Sequence, residues 1–198
     1  MKQCEVIKSI GYSQEEIINN ILKLYNKNNP IEFDLCFNIG GFYKSGIVSL
    51  PEVKSDIHPL LPGVEKLDVT NLPFENKFNC IIFDPPFLIK GGNSNYKMVE
   101  RFSCFNTFDE LIDFYRNSFI SLQRALKNRG ILILKTQDFV HARKNHIILP
   151  EIISMARDKG LKLIDLFILL SRSRIINIKN QQHARKYHSY FLVLKKLS

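Results

Sequence analysis

Apolar positions follow two rhythms along this chain, one helical and one strand-like. Over residues 13–25, Ile17, Ile18, Ile21, Leu22 and Leu24 recur at helical spacing behind Ser13 and Glu16, which stand as a capping box. Asn28-Asn29-Pro30 closes that helix. Residues 31–37 read as a strand running into Asn38-Ile39-Gly40-Gly41, and residues 53–57 and 64–69 are short extended segments. Residues 77–83 form an apolar strand. A second capping box, Thr107 with Glu110, opens a helix to about residue 127 whose apolar face is Leu111, Phe114, Tyr115, Phe119, Leu122 and Leu126. Arg129-Gly130 is the expected stop.

Beyond it, the pattern predicts a strand over 131–135, a helix over 150–159, and strands over 161–170 and 188–194 enclosing a basic stretch, 171–187, as a hairpin. Strands alternating with helices predict an α/β doubly wound sheet. There is no internal repeat, low-complexity segment or dividing linker, so residues 1–198 read as a single domain.

Composition narrows the class. The 198 residues are 45% hydrophobic, ordinary for a globular chain and too apolar for disorder. No apolar run approaches the ~20 residues of a membrane span, and the first residues lack the apolar core of a secretory signal, so a cytoplasmic location is expected. Cys4, Cys36, Cys80 and Cys104 form no C-x-x-C pair, and no histidine stands at zinc spacing from a cysteine pair. Reduced thiols and no metal site are the expectation.

The chemistry concentrates at residues 79–87, Asn-Cys-Ile-Ile-Phe-Asp-Pro-Pro-Phe. Pro85 and Pro86 cannot donate to a sheet ladder, so the strand must stop at Asp84. Each residue before a proline is pushed out of the helical region, and the chain leaves the sheet extended and stiff. A carboxylate, prolyl carbonyls and a ring are thereby held at the C-terminal edge of a strand, where open α/β sheets bind ligands. By itself Asp-Pro-Pro also serves as an ordinary rigid turn.

Asp84-Pro85-Pro86-Phe87 after an apolar strand resembles the (Asp/Asn/Ser)-Pro-Pro-(Tyr/Phe/Trp) motif of the S-adenosylmethionine-dependent amino-methyltransferases that modify adenine N6 or cytosine N4. The resemblance implies the class I methyltransferase fold, a mostly parallel seven-stranded sheet with an antiparallel last strand, and S-adenosyl-L-methionine as cofactor. It also implies catalytic roles. Asp84 and Pro85 would accept the two N–H bonds of an exocyclic amine and free its lone pair. Pro86 would stiffen the turn, and Phe87 would stack on a base swung out of its helix. The acid in the first position leans towards adenine N6, in DNA or RNA.

The same resemblance assigns the cofactor to the ends of the first strands. Asp34, Phe37, Asn38, Gly40 and Gly41 lie in the candidate first loop, which departs from Gly-x-Gly, and the following helix must be very short or absent. Asp56 would take the ribose hydroxyls, Asp68 and Val69 the adenine, with Asp84 bordering the methyl donor. The residues alone leave a plainer reading open, since each acid could be a surface turn acid.

Charge points to the partner. The chain carries a net +9, and from Ser171 onward there are seven Lys or Arg and no acid. A polyanion such as nucleic acid fits that distribution, and so does a solvated basic tail. Lys90 and Arg101 in the polar loop 88–106, Lys135 at the next strand end, and Arg185 and Lys186 in the stretch 181–188 are the candidate substrate contacts. About two hundred residues leave little room for a target-recognition domain, so sequence readout must be modest, come from loop 88–106 and the basic C-terminal hairpin, or depend on a specificity or partner subunit. The same fold and motif would also suit a protein lysine amine, or a degenerate nucleic-acid-binding subunit of an active partner.

Overall fold

A computed structural model of the chain describes residues 6–87, 89–90, 105–172 and 181–197. Among the described residues ten strands and three α-helices follow in order: β1 (Ile10–Gly11), α1 (Gln14–Tyr25), β2 (Phe33–Asp34), β3 (Val53–Asp56), β4 (Glu65–Lys66), β5 (Phe78–Phe83), α2 (Phe108–Ala125), β6 (Leu126–Thr136), β7 (Phe139–His141), β8 (Lys144–His146), α3 (Leu149–Asp158), β9 (Leu161–Leu170) and β10 (His188–Lys196). A 3-10 turn, Val69–Asn71, follows β4.

The main sheet runs β1-β9-β10-β6-β5-β2-β3-β4. β10 is antiparallel to both its neighbours, while every other pair is parallel. Seven strands were expected and eight form: the extra one is β1, two residues paired with Ile168 and Leu169 at the sheet edge. Two residues carry no alternation for a pattern to detect. Strand order reverses between β2 and β5, so their C-terminal ends open a crevice at the topological switch point.

Both faces of the central strands β5, β6 and β10 are buried, and successive residues serve opposite cores. Ile81, Phe83, Leu132, Leu134, Leu192 and Leu194 pack with Leu111, Tyr115, Phe119 and Leu122 of α2 and with Ile152 of α3. Cys80, Ile82, Ile131, Ile133, Phe191 and Val193 pack with Ile17, Ile18 and Ile21 of α1 and with Phe37, Phe42 and Tyr43. This is why the central strands read as unbroken apolar runs. Ser13 and Thr107 cap their helices as predicted, Ser13 Oγ accepting Glu16 N–H at 3.3 Å and Thr107 Oγ1 accepting Glu110 N–H at 3.1 Å, while the Glu110 carboxylate accepts Asn106 N–H at 2.8 Å.

Several boundaries differ from expectation, and of the strand expected over 31–37 only Phe33–Asp34 pairs, as β2. The second helix ends at Ala125, and Leu126 already pairs with Phe78. Arg129-Gly130 therefore stops no helix. It forms a bulge inside β6, where Leu126 to Ile131 spans five steps against two from Phe78 to Cys80. The segment 64–69 yields only the two-residue β4 before Asp68 caps the 3-10 turn. Cys36 and Cys80 carry free thiols, while Cys4 and Cys104 lie outside the described residues. Among the described residues no helix is long and apolar enough to cross a membrane.

A methyl group at Gly130 would stand 2.9 Å from the Lys127 carbonyl, 3.1 Å from that of Phe78 and 3.2 Å from that of Asn79. Backbone oxygens on three sides cannot swing away as a side chain could. Gly130→Ala should cost about 1–3 kcal/mol in urea or thermal unfolding. A loss under about 0.5 kcal/mol would show that the bulge can rearrange.

Candidate active site at the switch point

The prolines end β5 as their chemistry requires, and the chain leaves Phe83 with Asp84 half-buried, Pro85 buried, and Pro86 and Phe87 half-buried. Lys135, the penultimate residue of β6, donates to Asp84 Oδ2 at 3.0 Å. Two residues read separately from the sequence thus form one ion pair. The Lys135 ammonium also reaches Gln14 Oε1 at 3.5 Å and lies 5.3 Å from the Phe42 ring centroid and 5.9 Å from that of Phe191. Two ring faces and a carboxylate hold it in place.

Asp34 ends β2 and is 1% exposed. Its Oδ1 accepts the Cys36 N–H at 3.0 Å and its Oδ2 the Tyr43 hydroxyl at 2.7 Å. Burial pushes its carboxyl up to about 7, the two hydrogen bonds oppose that shift, and the nearby Asp84 and Asp56 charges add to it. The Cys36 thiol is pushed up by burial and by the same three carboxylates. Asp34, Asp56 and Asp84 therefore converge at adjacent strand ends, although 50 residues separate the first from the last in the sequence.

The loop after β2 folds without a helix. Consecutive turns (Gly40 N–H to Phe37 O, Tyr43 N–H to Gly40 O, Gly46 N–H to Tyr43 O) carry it forward. Phe37 stacks on Tyr43 at 5.5 Å and 17°, and both rings are buried. Gly40 adopts φ +69°, and a Cβ there would press within 3.0 Å of the Phe37 ring. Beside Gly41 a Cβ would meet nothing within 4 Å. Asp56, half-buried at the end of β3, accepts Asn38 N–H at 3.0 Å and His58 N–H at 2.9 Å. It ties the first loop to the second strand end and keeps further carboxylate lone pairs. Asp68 is exposed, its Oδ1 accepting from Thr70 N–H at 2.8 Å and Thr70 Oγ1 at 2.7 Å, while Val69 is buried.

A cleft of about 430 Å³ opens beside the motif, lined by Phe87, Lys135 and Gln137, by Leu169 of β9 and His188 of β10, and by Arg172 just beyond β9. Tyr12 and Gln14 also line it, with the Arg172 guanidinium 5.2 Å from the Tyr12 ring centroid. Nothing in the pattern distinguished Tyr12 or Gln14. They flank a helix cap, and only the fold carries that cap to the sheet edge. Lys186 approaches through its backbone, its carbonyl accepting Gln137 Nε2 at 3.0 Å. Arg185 is half-buried in the same segment.

Lys90 is exposed at the neck of loop 88–106, donating to Asn106 Oδ1 at 3.1 Å, and the neck is closed by an Ile89–Phe105 bridge. Arg101 lies outside the described residues. One of the C-terminal cations is spent internally: Lys196 is 7% exposed and donates to Leu126 O at 2.7 Å and Asn76 Oδ1 at 3.1 Å, its pKa lowered mainly by burial.

No protein-family model matches the chain, and no curated protein matches its sequence. Solved structures do match. A candidate sarcosine dimethylglycine methyltransferase of Galdieria sulphuraria superposes with a TM-score of 0.56 at 13% identity, over 92% of this chain and 85% of that one. An S-adenosylmethionine-dependent methyltransferase of Methanosarcina mazei gives 0.53 at 10% identity, over 89% and 97%. A candidate DNA modification methylase of Thermus thermophilus is a looser match, 0.44 at 15% identity over 66% of this chain, which spans about half (50%) of that protein's length. At such identities the likeness is one of fold: the chain has the class I methyltransferase fold.

Asp34 makes a sharp test of this electrostatic arrangement. Its folded-state pKa, about 7, lies above its ordinary 3.8, so the folded chain holds the proton more tightly than the unfolded one. That contribution is complete below pH 3.8 and lost as pH rises through 7. Asp34→Asn removes the titration. Between pH 4 and 8 its stability should shift relative to the wild type, in its own favour, by up to about 4 kcal/mol in urea melts. Parallel curves would mean that Asp34 is ionised throughout.

Proposed function

We propose that the chain is an S-adenosylmethionine-dependent N-methyltransferase acting on an exocyclic amine of a nucleic-acid base, with adenine N6 as the target. One observation carries this reading: Asp84, Pro85 and Phe87 stand rigidly at the switch-point crevice, between the acid-bearing ends of β2 and β3 and a cleft with a cationic lining.

The residues present suit the cofactor. Open space beside Gly41 lets a ligand approach the backbone, Asp56 retains carboxylate lone pairs for ribose hydroxyls, and Asp68 and Val69 would border the adenine. Asn38 is anchored on Asp56, and the buried Phe37 and Asp34 shape the loop from behind. Bound S-adenosylmethionine would supply a methyl group on a sulfonium, a strong electrophile needing no metal.

The chain's own task is then to ready the amine. An aromatic amine's lone pair is delocalised into its ring. Acceptance of its two N–H bonds by the Asp84 carboxylate and the Pro85 carbonyl draws the nitrogen towards tetrahedral geometry. Lys135 fixes the carboxylate through Oδ2, so little reorganisation is needed when the amine arrives. Pro86 keeps the turn stiff, and Phe87 offers a face for the base. Transfer follows from alignment rather than from a covalent enzyme intermediate. The substrate's outer parts would meet Lys90, Arg101, Arg185 and Lys186.

Nucleosides from DNA and RNA incubated with cofactor and protein should contain N6-methyladenine with the wild type. With Asp84→Ala the yield should fall about 100-fold or more, while calorimetric binding of the cofactor is retained. A methylated protein amine, with no methylated base in either polymer, would overturn the substrate assignment. Failure to bind the cofactor at all would overturn the enzyme.

A further inference from the structure

β7 and β8 stand apart from the main sheet as a two-stranded hairpin. Its two-residue loop, Ala142-Arg143, holds both residues at positive φ, 48° and 61°, as a type I′ turn requires. Asn-Gly or Asp-Gly makes that turn with least strain, whereas Ala and Arg each carry a Cβ that the left-handed region resists. The strained tip presents an exposed guanidinium, and Lys144 beside it is exposed as well.

The hairpin's base is firmly held. The His146 ring stacks on Phe139 at 5.1 Å and 18° and lies 4.9 Å from Phe108 of α2. Asp138, just before β7, is 5% exposed; its Oδ1 accepts the Ile148 and Leu149 N–H groups that open α3, and its Oδ2 accepts the Tyr190 hydroxyl. A second basic segment lies along the hairpin: a His183 ring nitrogen is 2.8 Å from Arg143 O, and Gln137 holds Lys186 O. Among the described residues, ion pairs form only at Asp113–Arg116 and Asp84–Lys135, so no acid neutralises Arg143, Lys144, Arg185 or Lys186. Glu151 is close enough to act on His146, yet burial together with His141 and Lys144 lowers the pKa of that ring. Gln137 both lines the cleft and anchors this edge, so the two are continuous.

We propose that the β7–β8 hairpin is a nucleic-acid hook, in which Arg143 and Lys144 at the tip, with Arg185 and Lys186 alongside, grip the backbone phosphates flanking the nucleotide whose base enters the cleft. The assignment rests on the base-methylation reading above. It explains why a strained turn keeps a cation where glycine would relax the backbone.

The double variant Ala142→Asn/Arg143→Gly separates charge from fold, because it installs the turn's preferred residues while deleting the guanidinium. Its melting temperature should match or exceed the wild type's. Labelled oligonucleotides of one sequence, as duplex DNA, single-stranded DNA and RNA, are titrated at several salt concentrations. For the polymer that binds, the variant should lose about 0.9 (duplex) or 0.7 (single strand) from the slope of log K against log salt, and about 5- to 10-fold in affinity near 0.1 M salt. Lys23→Ala, an exposed cation on α1, should leave both unchanged. If the wild type binds and the double variant keeps its slope, the hook is wrong and the methylation reading stands. If the wild type binds none of the three polymers, the hook and the nucleic-acid substrate fall together.

Discussion

β5 has to be apolar on both faces and cannot continue past Asp84. Cys80 and Ile82 point into one core, Ile81 and Phe83 into the other, and all four are fully buried. Their burial contributes on the order of 1.5–3 kcal/mol each for the large side chains. Two prolines then remove the donors that a longer strand would need. The strand is thus anchored along its length and severed at one end, and the carboxylate at that end inherits the rigidity of the whole sheet. Neighbours on both sides follow: β2 pairs with β5 on one side and brings Asp34, while β6 on the other brings Lys135.

That geometry explains how acids and cations are divided around the crevice. Asp34 is buried and committed to the Tyr43 hydroxyl and the Cys36 amide, so it shapes the loop that replaces a helix after β2. Asp56 ties that loop to β3 while staying half-exposed. Asp84 is clamped by Lys135. The Asp56 and Asp84 charges raise the proton affinity of Asp34, and three ionised carboxylates gathered there would be costly together. The fold limits the cost by letting Asp34 hold its proton near neutral pH and by pairing Asp84 with a cation. A further group of cations, Arg143, Lys144, Arg185 and Lys186, stands on the hairpin and the segment leading into β10.

Much of the fold was legible in the residues because it rests on local rules. Capping boxes placed α1 and α2, the apolar runs placed β5, β9 and β10, and the prolines placed the end of β5. The errors lie where local signal is absent or shared. β1 and β4 are two residues each, too short for alternation. Arg129-Gly130 has the composition of a helix stop, yet pairing with Phe78 had already claimed Leu126. β7 and β8 were missed because their turn carries Ala-Arg in place of the usual Asn-Gly.

The chain by itself determined the strand-breaking Asp-Pro-Pro-Phe, the helix starts, the two-faced apolar strands and the basic C-terminal bias, since each depends on neighbours within a few residues. Only the tertiary structure decided that Lys135 clamps Asp84, that Asp34 turns inward to Tyr43, that Lys196 is buried on Leu126 O, and that Tyr12 and Gln14 reach the cleft. Those are contacts between strand and loop ends far apart in sequence, and the order in which strands pair sets them. No local rule carries that order, because it is the burial of both sheet faces at once that selects it.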